Sequence, residues 1–533
     1  MPNALISVYN KERIEEFARE LVSLGWKIYA SGGTTKYLKD SGIEAVDVAE
    51  LVGGEAILGH RVVTLSREIY AGILARDTKE DREELKRLNI PEFHLICVDL
   101  YPLDEEIENK NSTRESVIEK TDIGGPTLLR AGAKGRRIVI CEKDDRTRVV
   151  EWLKNGAKDR EKFLDKLASR AERVVADYAL ASGRYYSQGK IDGMIGEEIL
   201  SCLYGENPWQ TPASLHAVKT KDSLALNKFR VFKSMEPSFN NLCDIDRMLQ
   251  TITHVAAGFN INRGKVPYIA IGVKHGNACG AAFGDNKQEV IKNMIKGDVK
   301  AIYGGWVMFN FSLDKELAEV LLTYKMEAGQ RRLLDGIVAA DFSEDAISMH
   351  RRKHDKCRFL KNKALGKLNK NSLDFSPRLR YARGGFLKQP NYTALLDLGS
   401  EDLVKTRDLS EDEENDIILG WAVGSTSNSN TITLIKDGLL IGNGVGQQDR
   451  MNCAKIAIER ARNAGHDTKN AVAYSDSFFP FTDAVEILFR AGIKAIFSPS
   501  GSIGDKVVSE FCEKNNIIFY QVPNKEIRGF YGH

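Results

Sequence analysis

Short apolar runs alternate with amphipathic stretches of helical period up to about residue 150. Ala4 to Val8 predicts a buried strand. Asn10 then suits a helix N-cap, and Ile14, Phe17, Ala18, Leu21 and Val22 recur at helical spacing until Gly25 ends the helix. Lys27 to Ala30 predicts the next strand, followed by Ser31-Gly32-Gly33-Thr34 and a second helix; Leu95 to Leu100 and Arg137 to Cys141 supply further buried strands. This rhythm predicts an α/β fold opening with a doubly wound parallel sheet, whose ligands collect beyond the carboxyl ends of the strands. From Glu151 to Ile199 the pattern is mainly helical, with Trp152, Phe163, Leu167, Ala171, Val174 and Val175 as expected core positions, closing a first domain at 1–199. A second region, 200–533, carries strand patterns at Tyr268–Val273, Ile302–Phe309, Gly336–Ala340, Thr431–Ile435 and Lys494–Phe497, again at α/β spacing and suited to two subdomains.

Composition narrows the class. With 42% hydrophobic and 28% charged residues over 533 positions, the chain can bury large cores, which excludes disorder, collagen and coiled coil as global descriptions. No apolar run reaches the ~18 residues of a membrane span, and Met1 to Ser7 enters a strand pattern with neither a basic n-region nor a long apolar core, so a cytoplasmic location is expected. Its 76 basic and 74 acidic residues leave a net charge of +2, so neither nucleic acid nor membrane is an expected partner. The basic run from Arg351 to Lys370 has few aromatics and reads as a solvated connector rather than a nucleic-acid patch; Asp402 to Asp416 reads as an exposed helix entry. Eight scattered cysteines form no Cys-x-x-Cys pair, which fits a reducing compartment, and no zinc or other metal site is expected.

Two glycine pairs carry the first candidate chemistry. Ser31-Gly32-Gly33-Thr34 and Asp122-Ile123-Gly124-Gly125-Pro126-Thr127 each lead into a helix, where bare N–H groups favour an anion. For either alone a tight turn is the commoner use; together with Lys11, Arg61 and Thr64 they point to a phosphate-bearing substrate. These residues belong to an ordered set: Ser7-Val8-x-x-Lys11, Ala30-Ser31-Gly32-Gly33-Thr34, Gly59-x-Arg61-Val62-x-Thr64-Leu65, Ala71-Gly72-Ile73-Leu74-Ala75-Arg76, Leu100-Tyr101-Pro102 and Asp122-Ile123-Gly124-Gly125. The set resembles the IMP cyclohydrolase half of the bifunctional purine biosynthesis family. The resemblance implies a methylglyoxal-synthase-like fold and dehydrative closure of FAICAR, a formamido-carboxamide imidazole nucleotide, to IMP. It implies Lys134, Tyr101 and Asp122 as chemical groups, with Lys11, Ser31, Gly32, Gly33, Thr34, Arg61, Thr64, Gly124 and Gly125 holding the nucleotide. One position departs: the family usually reads Arg-Val-Lys-Thr-Leu-His-Pro, and here Val63 stands in the place of the lysine, supplying neither charge nor side-chain hydrogen bond.

In the second region Val273-Lys274-His275-Gly276 follows a strand pattern, and a lysine and histidine at a strand end with glycines beyond suit an acid/base site opening into a helix. His275 and Cys279 have metal-like spacing but no further ligands. Tyr204-Gly205-Glu206-Asn207-Pro208, Asn241-Leu242-Cys243-Asp244, Tyr303-Gly304-Gly305, Arg383-Gly384-Gly385, Ser429-Asn430, Gly444-x-Gly446-Gln447-Gln448-x-Arg450, Ser475-Asp476-Ser477-Phe478-Phe479-Pro480-Phe481 and Pro499-Ser500-Gly501-Ser502 follow in order. They resemble the AICAR transformylase half of the same family, so the likeness covers nearly the whole chain. It implies two cytidine-deaminase-like subdomains and formyl transfer from 10-formyltetrahydrofolate, as co-substrate, to the amine of AICAR. His275 would take the amine proton, Lys274 would stabilise the oxyanion or help protonate the departing folate nitrogen, and Asn430 would hold the formyl oxygen or orient the histidine. Tyr204, Asn241, Gly305, Gln447, Arg450, Phe478, Pro480, Asp483 and Arg528 would bind substrates, and Ser500-Gly501-Ser502 would make another anion-friendly turn.

The resemblance also implies a homodimer and leaves a monovalent cation open. Leu203 and Trp209 replace the arginine and histidine of the family's Arg-Tyr-Gly and Asn-Pro-His, removing a guanidinium fork suited to phosphate. Two other classes compete: a transformylase with an impaired cyclohydrolase, and a non-catalytic purine-nucleotide sensor. Lys274, His275 and Asn430 together favour turnover over sensing.

Overall fold

The computed structural model describes residues 1–54, 57–58, 62, 64–232 and 235–532. Its internal contacts divide into Met1–Glu197 and Glu198–His533.

The first unit is built on β1 (Asn3–Ser7), β2 (Lys27–Ala30), β3 (Val46–Asp47), β4 (Leu95–Val98) and β5 (Ile138–Ile140), all parallel and ordered β3-β2-β1-β4-β5. Successive residues feed opposite faces: Ala4 and Ile6 enter one apolar cluster and Leu5 another, as do Leu95 and Cys97 against Ile96 and Val98. Burial on both faces is what the continuous apolar runs require. The chain winds from β1 outward to β3, then returns past β1 to β4, so the order reverses between β1 and β4.

The first helix differs at its start. It spans Ile14–Ser23 after Arg13, while Asn10 Oδ1 accepts the Glu12 N–H at 2.9 Å and closes a turn before the helix, a local alternative open to a short amide side chain. Gly25, at φ 80°, ends it as expected. The helical close consists of Lys143–Lys154 and Arg160–Tyr186; Leu167 and Ala171 are buried, whereas Trp152 and Phe163 are half-buried and stack at 4.5 Å.

In the second unit β6 (Glu197–Cys202) and β7 (Ala213–Ala217) make a two-stranded sheet. A twelve-stranded sheet contains β8 (Arg230–Val231), β9 (Tyr268–Lys274), β10 (Asn277–Gly284), β11 (Trp306–Phe309), β12 (Gly336–Ala339) and β13 (Arg358–Lys361). After a separate hairpin of β14 (Arg378–Ala382) and β15 (Gly385–Gln389), the chain rejoins it with β16 (Val404–Lys405), β17 (Ile432–Lys436), β18 (Leu439–Gly444), β19 (Val472–Ser475), β20 (Ala495–Ser500) and β21 (Ile518–Pro523). The order β16-β21-β20-β19-β17-β18-β10-β9-β11-β12-β13-β8 is a duplication. Each half runs from a short edge strand (β8, β16) through a buried helix, Phe239–Arg263 or Glu411–Ser425, and an antiparallel hairpin (β9–β10, β17–β18) to three mutually parallel strands, the last of which pairs antiparallel with that edge strand. The halves meet where Ala282 of β10 faces Leu439 of β18, antiparallel. The two subdomains therefore share one sheet and one large core, containing both Trp306 and Trp421.

Three expectations are corrected. The basic run Arg351–Lys370 is no solvated connector: it contains β13, with Arg358, Phe359 and Leu360 buried, because the charges flank a short apolar strand. Asp416 is not exposed but buried within its helix, where it accepts N–H bonds from Asp437 and Gly438. After His275 the chain enters β10 rather than a helix.

Candidate active sites

In the first unit, the loops after β1, β2 and β4 leave the same edge of the sheet, with the reversal between β1 and β4 marking the crevice where ligands bind. Asp99, just beyond β4, accepts the N–H groups of Tyr9 and Asn10 and so ties the β1 loop across that crevice. Tyr9 and Tyr101 meet edge-on at 5.5 Å. Ser31 caps the Gly32–Asp40 helix by position, its hydroxyl 2.9 Å from Ser7 Oγ; Thr34 is buried and bonds Val8 through N–H and carbonyl. A Cβ on Gly32 or Gly33 would meet nothing within 4 Å, and both stand in the first turn of the helix, where N–H groups have no intrahelical acceptor. Lys11 Nζ turns back onto the Val8 and Tyr9 carbonyls, and burial lowers its pKa against the pull of Asp99.

Asp122 joins this edge. Its carboxylate accepts the Gly125 N–H at 2.8 Å, and the Tyr101 and Gly124 N–H groups face it as well; burial nonetheless holds its pKa above the ordinary value. Tyr178 of the Arg160–Tyr186 helix accepts the Asp122 N–H at 2.7 Å and donates to Lys120 O at 3.0 Å, fixing the turn. Gly125 is needed for close approach: a Cβ there would lie 2.5 Å from Asp122 Oδ2 and 2.6 Å from Leu100 Cδ2. Thr64 is buried beside Gly124, its Oγ1 2.9 Å from where a Cβ would stand. Tyr101, Asp122, Gly124, Gly125 and Thr64 thus come together with the β1 and β2 loops. Lys134 does not. It ends the Gly124–Lys134 helix, about 15 Å along the axis from Gly124 at 1.5 Å per residue, and leads into Ile138, which pairs with the start of β4 at Leu95. That is the opposite edge of the sheet. Arg61, like Val63, lies outside the described residues.

In the second unit, the β9–β10 hairpin turns through His275 and Gly276, left-handed at φ 52° and 71°. Positive φ at both central positions is the two-residue turn whose twist matches the flanking strands, and it holds the imidazole exposed at the tip. Lys274 Nζ donates to Tyr303 O at 2.9 Å beside Gly304 and Gly305, where β11 begins against the end of β9. The Gly305 carbonyl accepts the Asp335 N–H at 3.0 Å, bringing a carboxylate to the same edge.

The Asn428–Asn430 segment lies against the hairpin. Asn428 N donates to Asn277 Oδ1 at 3.1 Å, and Asn277 Nδ2 to His275 O at 3.2 Å. Arg247, from the Phe239–Arg263 helix, donates to Thr426 O and Asn428 Oδ1, both at 3.0 Å, and burial lowers its pKa to about 10. Asp244, a turn earlier on that helix, accepts the Gly276 N–H at 2.7 Å, and burial raises its pKa. Asn430 Nδ2 donates to Gln447 O at 2.9 Å, joining β17 to the end of β18. The carboxyl-terminal tail completes the edge: Tyr531 N donates to Ser427 O at 3.0 Å, its ring lies 4.4 Å from the Arg247 guanidinium, and Arg528 acts electrostatically on Asp476.

Other expected binders are committed elsewhere. Asn241 serves a capping box with Ser238, accepting its N–H at 3.0 Å. Arg450 pairs at 3.5 Å with the fully buried Asp476, whose Oδ2 accepts from Ser429 at 2.6 Å. Asp483 opens its helix, and its Oδ1 accepts the neighbouring Ala484 N–H at 2.7 Å. In the Ser500-Gly501-Ser502 turn the N–H groups of Gly501 and Ser502 are taken by Asp505, an internal anion. Phe479 is core, while Phe478 is half-buried and Pro480 exposed. Tyr204 is half-buried near the buried Arg358. Asp244 and Asn277 stand in or beside recognised motifs but received no role from sequence, and Arg247, Asn428 and Tyr531 were not singled out, although the three-residue spacing of Asp244 and Arg247 puts them on neighbouring positions of one helix.

Comparison with known proteins bears on both edges. The model of the AICARFT/IMPCHase bienzyme family matches residues 133–460, and that of the MGS-like domain residues 13–127. A "Bifunctional purine biosynthesis protein PurH" of Caldicellulosiruptor saccharolyticus is 35% identical over 530 residues, covering 96% of this chain and 97% of the relative. The chain belongs to this family. The PurH of Aquifex aeolicus is 32% identical over 523 residues, with 96% and 97% covered. A crystal structure of ForH, 31% identical, covers 36% of this chain and 100% of its own at a TM-score of 0.33. Membership in the bienzyme family accounts for both the parallel sheet of the first unit and the duplicated mixed sheet of the second. Among the described residues no group of three or more His, Cys, Asp or Glu could hold a metal ion, and no helix is long and apolar enough to cross a membrane.

Proposed function

We propose that the chain formylates AICAR with 10-formyltetrahydrofolate at the His275 edge of the twelve-stranded sheet and closes FAICAR to IMP at the β1–β4 crevice. The observation that carries the reading is the exposed imidazole beside an ammonium, fastened between the Phe239–Arg263 helix and the Asn428–Asn430 segment. The AICAR amine is a poor nucleophile because its lone pair is delocalised, so attack must be coupled to proton removal. His275 takes that proton as the amine nitrogen bonds to the formyl carbon. Lys274 retains donors beyond its bond to Tyr303 and stabilises the oxyanion together with the Asn430 amide. Collapse breaks the bond to the folate nitrogen, which recovers the proton, leaving FAICAR and tetrahydrofolate. Arg528, and Arg358 near Tyr204, supply the phosphate charge that Leu203 lacks.

For ring closure, the carboxamide nitrogen attacks the formamide carbon and water is lost. Asp122, with its raised pKa, and Tyr101 exchange the protons, and the first-turn amides of Gly32 and Gly33 receive the phosphate. The enzyme acts as a cytoplasmic homodimer; the β14–β15 hairpin, with Tyr381 82% and Leu387 65% exposed, supports a second copy covering it. A second reading, transformylase with weak cyclisation, is favoured by Val63. Incubating the chain with AICAR and 10-formyltetrahydrofolate and following ultraviolet absorbance separates them. Tetrahydrofolate and IMP together are expected, and neither product would overturn the proposal. Val63→Lys raises IMP formation from FAICAR, by about ten-fold for a cation worth one decade of barrier; no gain would remove Val63 as a limit.

A further inference from the structure

The duplication supplies an internal comparison. The β17–β18 hairpin turns through Asp437 and Gly438 at φ 54° and 76°, as the β9–β10 hairpin does through His275 and Gly276 at 52° and 71°. Each turn follows a lysine whose ammonium holds the loop before the matching strand: Lys274 on Tyr303 O at 2.9 Å, ahead of β11, and Lys436 on Asp467 O at 3.1 Å, ahead of β19. Each turn is also gripped by an aspartate on the helix that opens its half. Asp244 accepts the Gly276 N–H at 2.7 Å; Asp416 accepts Gly438 N–H at 2.8 Å and Asp437 N–H at 3.1 Å. The lysine and the aspartate grip are thus common to both ends of the duplicated sheet. Only one of the two turns carries a histidine.

We propose that Asp244 is a positioning residue for formyl transfer: by holding the Gly276 N–H from the rigid Phe239–Arg263 helix, it fixes the turn that aims His275 at the substrate amine. A residue bearing a Cβ is disfavoured in left-handed backbone, so the His275 position needs external fastening. The remainder of the turn is held through Asn277 and Asn428, which cannot replace a bond to Gly276 itself. A reacting group displaced by about 1 Å loses on the order of 10²-fold in rate. The inference rests on the assignment of His275 as proton acceptor.

The test is steady-state formylation with AICAR and 10-formyltetrahydrofolate, on variants checked by circular dichroism. Asp244→Ala lowers kcat by about 30-fold with KM for AICAR changed by less than about two-fold. Asp244→Asn, whose amide oxygen still accepts the Gly276 N–H, recovers most of the loss. Asp416→Ala and Asp416→Asn, which disturb the same grip at the turn without histidine, leave kcat unchanged. Wild-type kcat in Asp244→Ala overturns the inference, as does an Asp244→Asn enzyme as slow as the alanine variant or an equal loss in Asp416→Ala. Should Asp244→Ala not fold, Asp244→Ser takes its place in the same comparison. Wild-type turnover in His275→Gly overturns the underlying assignment; an inactive His275→Gly with a fully active Asp244→Ala overturns only the role of Asp244.

Discussion

Asp416 makes the stability of the second unit depend on pH in a direction opposite to ordinary acid denaturation. Its side chain is 6% exposed, and burial, helped by Asp437 and Asp412, pushes its carboxyl from the ordinary 3.8 to about 7 against the N–H bonds from Gly438 and Asp437. The folded state therefore holds a proton that the unfolded chain releases between these values. Stability from this group is full below the unfolded value and is lost as pH rises through the folded one, at about 1.4 kcal/mol per pH unit. From about pH 4.5 to pH 7.5 the loss attributable to Asp416 is about 3 kcal/mol. Asp416→Asn keeps an acceptor for Gly438 without the ionisable proton. Urea denaturation followed by fluorescence of the buried Trp306 and Trp421 measures the difference. Wild type loses about 3 kcal/mol more than Asp416→Asn across that interval; parallel pH dependences would refute the buried-acid reasoning.

A second prediction concerns the first unit. Gly125→Ala places a methyl 2.5 Å from Asp122 Oδ2 and 2.6 Å from Leu100 Cδ2, so the carboxylate must leave its clamp. Conversion of FAICAR to IMP falls by about 10²-fold, the usual yield of a positioned acid–base group, while formylation of AICAR is unchanged. Equal loss of both activities would mean that the change damages more than the crevice.

Much of this architecture is legible before any coordinates. The apolar runs at Lys27–Ala30 and Tyr268–Val273 locate β2 and β9 within a residue, because strands covered on both faces need continuous hydrophobicity. β13 escapes because its apolar centre sits between lysines and arginines, and β10 escapes because its small residues, Ala278 to Ala282, carry no strand signature. The turn at His275 lacks the Asn-Gly pair that normally announces such a hairpin. At the sites, residues adjacent in sequence to a recognisable motif are found, whereas groups that reach them across the fold are not. Asp244 lies 32 positions from Gly276, and Tyr178 lies 56 from Asp122. Lys134 shows the converse: one helical turn from Arg130 in sequence, it is carried by that helix toward the far edge of the sheet. Two like subdomains are implied by the family resemblance, whereas their fusion into one sheet and the paired aspartate grips emerge from strand order and contacts.

The central claim is that His275 accepts a proton during formyl transfer, and His275→Gly tests it without penalising the fold. Glycine relieves a left-handed residue that costs about 1–2 kcal/mol and forfeits about 0.4–1 kcal/mol of unfolded-chain entropy, so folding is undisturbed. Single-turnover mixing of enzyme-bound AICAR with 10-formyltetrahydrofolate should show wild-type nucleotide affinity and a formylation rate lower by about 10²–10⁴-fold. A rate within a few-fold of wild type would contradict the account.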